Sequence, residues 1–197
     1  MDLDSVRQFE PTAVTGEEQE SAVVVPILDR DDPRLLFTKR AEHLSNHPGQ
    51  MSFPGGRREQ VDTDLQATAT REAHEEVCLA PEELSFVGQL DDIRTVTNFS
   101  VRPFAARVPD RVYDPCEHEV AAVAVLPITE LTDLDNYHGE YRDHPHHGRI
   151  RVHYFYVDDF TVWGATARIL VQFLELTTDW EAPDIDTVVE ADADYPV

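Results

Sequence analysis

Lysine is almost missing from this sequence. Lys39 is the one lysine among 16 basic residues, which face 39 acidic residues and leave a net charge of -23. Affinity for the phosphate backbone of nucleic acids comes largely from lysine and arginine. The charge balance therefore excludes a nucleic-acid polymer as the expected partner, while a small phosphate-containing ligand stays open.

The acidic residues are spread along the whole chain, and both ends are acidic. So large an excess of one sign produces self-repulsion at low ionic strength, and concentrated salt screens that repulsion within a few ångströms. We therefore expect a surface adapted to high salt, as in a halophilic source, with short acidic ends adding to the charge.

Cysteine and long apolar runs are also scarce. Cys78 and Cys116 are too few for a disulfide framework, and neither a signal peptide nor an apolar run of about 18 residues is present. We expect a soluble, cytoplasmic, reduced protein that does not bind a membrane. Its 197 residues, 41% of them hydrophobic, suffice for one domain with a sizeable core.

Hydrophobic patterning divides the chain into an acidic lead-in (1–20), a folded domain (21–178) and an acidic tail (179–197). Thr63 and Gln66 have the spacing of a helix capping box. The order of strand, strand, helix, strands, helix is typical of an α+β fold. Strands are predicted over 21–29, 33–41, 84–96, 99–108, 119–127 and 149–157, and helices over 64–77 and 163–176.

The predicted helix 64–77 carries three carboxylates on one face, because Glu72, Glu75 and Glu76 have the i, i+3, i+4 spacing. Like charges this close repel unless a cation lies among them or Arg71 and solvent neutralise them. Arg71 lies one turn from Glu75 and is expected to pair with it. Hard oxygen ligands of this kind suit Mg²⁺ or Mn²⁺.

Upstream of this helix the local charge is reversed. The stretch 35–58 has a single acid, Glu42, and in a chain of net charge -23 that predicts a basic patch able to receive a polyphosphate. Guanidinium groups match phosphate oxygens in a bidentate way, so Arg40 and Arg57 are the expected phosphate contacts. The basic residues of the stretch are Lys39, Arg40, Arg57 and Arg58.

The segment from Gly56 to Leu79 resembles the Nudix box, in which a glycine and a loop acid precede R-E-U-x-E-E-x-G-U, where U is a bulky aliphatic residue. The resemblance implies a Nudix-type α/β/α sandwich with a mixed sheet between helices, and tandem glutamates that hold Mg²⁺ or Mn²⁺. The matching residues are Arg71, Glu72, Glu75, Glu76 and Leu79.

The preceding segment, LLFTKRAEHLSNHPGQMSFPGG (35–56), resembles the signature of the coenzyme A pyrophosphatase branch of that family. WGATA (163–167) is similar to the branch's closing helix, and the spacing from Gly56 to Arg71 is one residue longer than in the general box, as the branch tends to have. The matching residues are Thr38, Arg40, Leu44, His47, Gly49, Gln50, Phe53, Pro54, Gly55 and Gly56.

Three features depart from the family pattern. Cys78 stands where the box has glycine, so the helix ends without the usual permissive residue. The loop acid is displaced, with Asp62 and Asp64 on either side of the expected position. Ser45 replaces a basic residue that is common in the branch. None of these removes a tandem glutamate.

The resemblance and the chemistry of pyrophosphate hydrolysis together assign roles. Glu72 and Glu76 are the expected principal metal ligands, with Glu75 as a further ligand or a water-positioning group and the Gly56 carbonyl as a backbone ligand. The best candidate for a base outside the box is Glu119, with Glu117 behind it; the alternative is that both are surface acids. The catalytic set is Glu72, Glu75, Glu76, Arg71 and Glu119, and the substrate-binding set is Arg40, Arg57, Gln50, Phe53 and Gly55.

The branch resemblance implies a small nucleoside diphosphate substrate, coenzyme A or acyl-CoA, cleaved to 3′,5′-ADP and 4′-phosphopantetheine. Family members often pair, which makes a homodimer an expectation. Two alternatives stay open at this point. One is a hydrolase of another nucleoside diphosphate derivative, such as ADP-ribose or a dinucleotide, and the other is a Nudix-like module that binds a nucleotide without cleaving it.

Overall fold

The computed structural model describes residues 1–17, 19–44, 48–95, 99–144 and 148–189. The helices are α1 (Asp4–Gln8), α2 (Leu65–Val77), α3 (Ile128–Leu131) and α4 (Gly164–Thr177). The strands are β1 (Gln19–Leu28), β2 (Arg34–Arg40), β3 (Met51–Ser52), β4 (Gly55–Arg57), β5 (Ser85–Gln89), β6 (Ile93–Arg94), β7 (Phe99–Val108), β8 (Val120–Pro127), β9 (Tyr137–His144), β10 (Gly148–Val157), β11 (Phe160–Trp163) and β12 (Val188–Val189).

The larger sheet is mixed and has β1 at its centre. Strands β1 and β7 run parallel, from the pair Gln19 and Phe99 to the pair Leu28 and Val108. Strand β2 pairs antiparallel with β1 through Ile27 and Leu35, so the strands predicted over 21–29 and 33–41 form a hairpin. The order is β3-β2-β1-β7-β5, with β4 on β1, β6 on β7 and β8 on β2, and a smaller sheet has the order β11-β10-β9-β12.

Helices α2 and α4 cover opposite faces of the central sheet. Side chains alternate across a strand, so Val24 packs with the apolar face of α2, while Val25 packs with α4. The α2 face is built from residues at helical spacing, such as Ala69 and Ala73. This arrangement confirms the α+β class and the Nudix-type sandwich of helices around a mixed sheet.

The start and end of α2 differ from the prediction in detail. Asp64, and not Thr63, caps the helix, since its side chain accepts a hydrogen bond of 2.8 Å from the Ala67 amide. At the other end Cys78 adopts the left-handed conformation with φ 52°, and its amide donates to the carbonyls of Ala73 and His74. Cys78 therefore takes the backbone conformation that glycine would take at a helix C-terminus.

The two cysteines form a disulfide that the sequence did not predict. Cys78 and Cys116 are joined with a Cα–Cα distance of 5.7 Å, across a sequence separation of 38 residues. The expectation of reduced cysteines is therefore wrong for this structure. The bond ties the end of α2 to the segment that leads into β8.

Parts of both ends take part in packing. In the lead-in, Leu3 and Val6 lie in the core beside α4, and in the tail Trp180 packs against Phe155 with ring centroids 5.8 Å apart. Strand β8 is only partly buried, because Ala121 is exposed. Across the described ranges, no helix is both long and apolar enough to span a membrane.

Candidate active site

Glu76 is a buried carboxylate on α2, with 7% of its surface exposed. Its Oε2 accepts from the Gly55 amide at 3.3 Å and from the Thr38 hydroxyl at 3.5 Å, and both contacts are long. No ion pair reaches it from any residue in the described parts of the chain. A carboxylate in this position needs either a proton or a bound cation.

Glu72 lies one turn before Glu76 and rests against the backbone of Gly56. A β-carbon added at Gly56 would fall 2.5 Å from the Glu72 carboxylate, so any larger residue there would require that side chain to move. Helix α2 and strand β4 thus bring the Glu72 carboxylate close to the backbone of Gly56, which was predicted to supply a carbonyl ligand. Gly55 is tightly placed as well, since a β-carbon on it would lie 2.4 Å from the Ala22 carbonyl oxygen.

Arg71 connects the loop acid to the carboxylates of α2. Its Nε and Nη2 each lie 3.1 Å from Asp62, and its Nη1 donates to Glu72 at 2.9 Å and to Glu75 at 2.8 Å. Nη2 also donates to the Arg57 carbonyl at 2.9 Å. The predicted pairing of Arg71 with Glu75 is present, and the hydrogen bonds from Arg71 lower the pKa of Asp62 to about 2.

The electrostatics of the cluster favour a bound cation. Burial, followed by the charge of Glu72, raises the pKa of Glu76 to about 8, and burial also raises the pKa of Glu72. In the described structure no three His, Cys, Asp or Glu side chains already converge as a metal cage. Glu72 and Glu76 nevertheless fit a divalent ion, because oxygen donors that repel each other in a buried site are neutralised by it.

The predicted phosphate contacts Arg40 and Arg57 end strands β2 and β4, and the predicted base Glu119 lies in the turn before β8. Arg40 lies 3.4 Å from Glu119, so these two form a partly exposed ion pair. The charge of Arg40 lowers the pKa of Glu76, whereas the charge of Glu117 raises it. The charges of Glu117 and Arg40 therefore both act on Glu76, and Glu119 is engaged by Arg40.

The segment GQMSFPGG (49–56) supplies backbone contacts more than side-chain contacts. Gln50 accepts the Arg40 amide at 3.0 Å through its carbonyl, and its side chain lies near Gly164 at the start of α4. Phe53 is 1% exposed and stacks on Phe37 with ring centroids 4.6 Å apart. The prediction that Phe53 contacts substrate is therefore corrected: its ring belongs to the core.

Arg57 borders a separate hollow beside the site. Its guanidinium lies over the Phe99 ring, 4.7 Å from the centroid. The hollow has a volume of about 470 Å³ and is also lined by Arg58 and Asp62. Because Arg57 directly follows Gly56, the exposed cation lies next to the backbone that contacts Glu72.

Comparison with known proteins decides the family. The NUDIX domain model matches residues 18–147, which include both strand β4 and helix α2. The chain belongs to the Nudix family. Helix α2, which carries the segment that resembles the Nudix box and is here called the box helix, lies within the matched range.

Similar proteins agree with this assignment. The chain is 42% identical over 156 residues to an uncharacterized Nudix hydrolase, NudL, of Enterobacter sp. (strain 638), covering 77% of this chain and 79% of that one. It is 41% identical to NudL of Cronobacter sakazakii, covering 78% and 80%. A MutT/nudix family protein from Enterococcus faecalis shares the fold, with a TM-score of 0.50, 12% identity, and coverage of 80% of this chain and 54% of that one.

This Nudix protein is a hydrolase, and enzymes of the family generally act with a divalent metal ion. The structure adds three relationships that the sequence did not predict. The Thr38 hydroxyl donates to Glu76, Asp62 holds Arg71, and the charge of Glu117 acts on Glu76. The displaced loop acid was the one available signal, and it left Asp62 and Asp64 as alternatives.

Proposed function

We propose that this hydrolase cleaves the diphosphate of coenzyme A or an acyl derivative, giving 3′,5′-ADP and 4′-phosphopantetheine. The observation that carries the metal-dependent reaction is Glu76, a buried carboxylate with two long hydrogen bonds and no ion pair among the described residues. Glu72 and Glu76 would hold Mg²⁺ or Mn²⁺ together with the Gly56 carbonyl, with Glu75 as a further ligand. When bound, such an ion neutralises charge on the phosphoryl oxygens and acidifies water.

The residues around the cluster have separable tasks in this proposal. Arg71 holds Glu72 and Glu75 in place, and Arg40 and Arg57 receive the phosphate oxygens. A carboxylate takes the proton from water as the water oxygen bonds to phosphorus and the anhydride bond breaks. Glu117 and Glu119 are the two candidates for that carboxylate, and comparing Glu117→Gln with Glu119→Gln distinguishes them by which variant loses kcat.

The choice of coenzyme A rests on the signature in 35–56 and on where that segment lies. Thr38 and Gly55, two of its matching residues, donate hydrogen bonds to Glu76. The segment 35–56 therefore contacts the carboxylate cluster directly. His47, another of its residues, lies outside the described part of the chain.

A substrate panel tests this proposal. Purified protein is incubated with Mn²⁺ or Mg²⁺ against coenzyme A, an acyl-CoA, ADP-ribose and a dinucleotide, and the products are separated by chromatography. We expect the assay to need molar salt, because the net charge of -23 must be screened. Coenzyme A should have the highest kcat/KM; equal or better turnover of ADP-ribose would refute the branch assignment. No turnover of any substrate would favour a binding module.

A further inference from the structure

The disulfide occupies a position that links the box helix to a functional loop. Cys78 stands at the box position where glycine is usual, and it keeps the left-handed conformation with φ 52°. Cβ-bearing residues rarely adopt this conformation. Its side chain is joined to Cys116, 38 residues along the chain. Cys78, which departs from the box pattern, is thus the residue that is covalently linked to Cys116.

The segment that the disulfide holds carries a carboxylate close to the site. The Cys116 amide donates to the Glu76 carbonyl at 2.9 Å, so the backbone of the loop lies directly on the last turn of α2. Glu117 is the next residue. Its negative charge contributes to the raised pKa of both Glu72 and Glu76, which places it within electrostatic range of the two expected metal ligands.

The other side of Glu117 is fixed by β2. The Glu119 carbonyl accepts the Ala41 amide at 2.8 Å, and the Glu119 carboxylate pairs with Arg40. Before Glu117, residues 112–116 belong to no helix or strand. The disulfide and the hydrogen bond from Cys116 therefore supply the anchor on the N-terminal side of Glu117.

Both cysteines are exposed, so a small thiol can reach the bond. A dithiol reduces it by thiolate attack on one sulfur, which breaks the S–S bond and forms a mixed disulfide. The second thiol of the reagent then closes its own disulfide. The protein gains two thiols, and the dithiol is oxidised.

We propose that the Cys78–Cys116 disulfide is a positioning element that holds Glu117 against the carboxylate cluster of α2, so that reduction by a thiol slows hydrolysis. The proposal rests on the proposed function only in taking phosphoanhydride hydrolysis as the reaction. It is independent of which nucleoside diphosphate is the substrate. A carboxylate that moves by even an ångström loses much of its contribution to a reaction that depends on alignment.

The first test compares the oxidised protein with Cys116→Ser and with the double variant Cys78→Gly, Cys116→Ser. The double variant also places glycine, the usual residue of the box, at position 78. Glycine adopts the left-handed conformation without the steric cost that a β-carbon brings. We expect kcat to fall by about 10- to 100-fold in both variants and in the dithiol-treated wild type, with KM little changed. The dithiol should have no effect on either variant. Unchanged kcat in all of these would overturn the proposal.

A matched control separates positioning from loop stability. The Tyr113 hydroxyl donates to the Pro109 carbonyl at 2.7 Å within the same segment, in a hydrogen bond that involves neither cysteine. Tyr113→Phe should therefore keep full activity and full sensitivity to the dithiol. All assays are run well below the melting temperature of each variant, so that a purely stabilising disulfide would change the melting temperature and leave kcat alone.

A double-mutant cycle asks whether the disulfide acts through Glu117. If it does, Cys116→Ser should cause little further loss in a Glu117→Gln background, whereas independent effects would multiply. Multiplicative losses would overturn the proposed route. Hydrogen exchange of residues 112–118 in the oxidised and reduced protein gives a readout without turnover. Equal exchange in the two forms would refute the anchoring even if no substrate were hydrolysed.

Discussion

Arg71 and Asp62 form a two-point ion pair, with Nε to Oδ1 and Nη2 to Oδ2 both at 3.1 Å. Parallel contacts of this kind fix the plane of the guanidinium. The remaining nitrogen, Nη1, then faces Glu72 and Glu75. The loop acid therefore controls the orientation of two box carboxylates without being next to them in the sequence.

Replacing Asp62 by asparagine should weaken both fold and activity. The pKa of Asp62 is lowered to about 2 in the folded protein, so its charged form contributes roughly 2 kcal/mol of stability at neutral pH. We expect Asp62→Asn to lose about this amount in urea unfolding and to show a lower kcat, because Arg71 is no longer held. The control is Asp110→Asn, whose partner Arg30 lies at the surface. That exposed pair should contribute less than about 1 kcal/mol, so equal losses in the two variants would contradict this account.

Gly56 should be essential for the site but not for the fold. A β-carbon there would lie 2.5 Å from the Glu72 carboxylate and would push that side chain away. We expect Gly56→Ala to lower kcat by about 10- to 100-fold while circular dichroism stays the same.

The matched control for Gly56 is Gly148→Ala. Gly148 has φ +67° and open space around it, so alanine there strains the backbone without touching a carboxylate. It should cost some stability, roughly 1 kcal/mol, and leave kcat unchanged. A fully active Gly56→Ala would remove the proposed role of this close approach.

His153 should make the fold sensitive to acid. Burial, with added repulsion from Arg151 and Arg168, lowers its pKa from 6.5 to about 4. The unfolded chain therefore binds more protons than the folded one between these values. Stability is present above about pH 6.5 and is lost as the pH falls towards 4, with a total loss of roughly 3 kcal/mol.

The measurement is urea unfolding of wild type and His153→Phe at pH 7 and pH 4.5. Phenylalanine keeps the bulk of the ring but gives up the hydrogen bond of 2.8 Å between Nδ1 and the Tyr137 hydroxyl. The other ionisable groups that act on the ring or line the hollow beside it are Arg151, Arg168, Asp91 and Asp92. Because these stay in the variant, its loss on acidification should be smaller than that of wild type by about 2 kcal/mol. Parallel losses would show that His153 does not titrate as described.

Sequence patterns predicted the structure correctly where the residues concerned are close together in the chain. Helical spacing alone brought Glu72, Glu75 and Glu76 to one face, and the i, i+4 rule gave the Arg71–Glu75 pair. The two strands of the β1–β2 hairpin were predicted from the β-branched run 21–29, the charged turn after it and the run 33–41. The resemblance supplied the sandwich of helices around a mixed sheet, which the structure shows.

Long-range relationships were not available from the sequence. The Cys78–Cys116 link spans 38 residues, and two cysteines in an acidic chain gave no reason to pair them. Phe53 belongs to the branch signature, but its burial against Phe37 depends on how β2 and the 49–56 loop pack together. The nearness of Glu117 to Glu76 likewise depends on a loop held from two sides.

We propose that Glu76 binds the divalent ion through which the diphosphate is hydrolysed. Glutamine at position 76 keeps the shape of the side chain and removes the charge that the ion needs. Glu82 is an exposed glutamate in the turn after α2 and serves as the matched control. Both variants replace a glutamate by glutamine, but only Glu76 belongs to the carboxylate cluster.

The most direct measurement is turnover of coenzyme A with Mn²⁺ by wild type, Glu76→Gln and Glu82→Gln in the same high-salt buffer, with the thermal shift on adding Mn²⁺ recorded for each. We predict that Glu76→Gln loses about 10³-fold in kcat, which is about 4 kcal/mol, and also loses the Mn²⁺ thermal shift. Glu82→Gln should match wild type in both. A Glu76→Gln protein that hydrolyses coenzyme A at the wild-type rate would contradict the account.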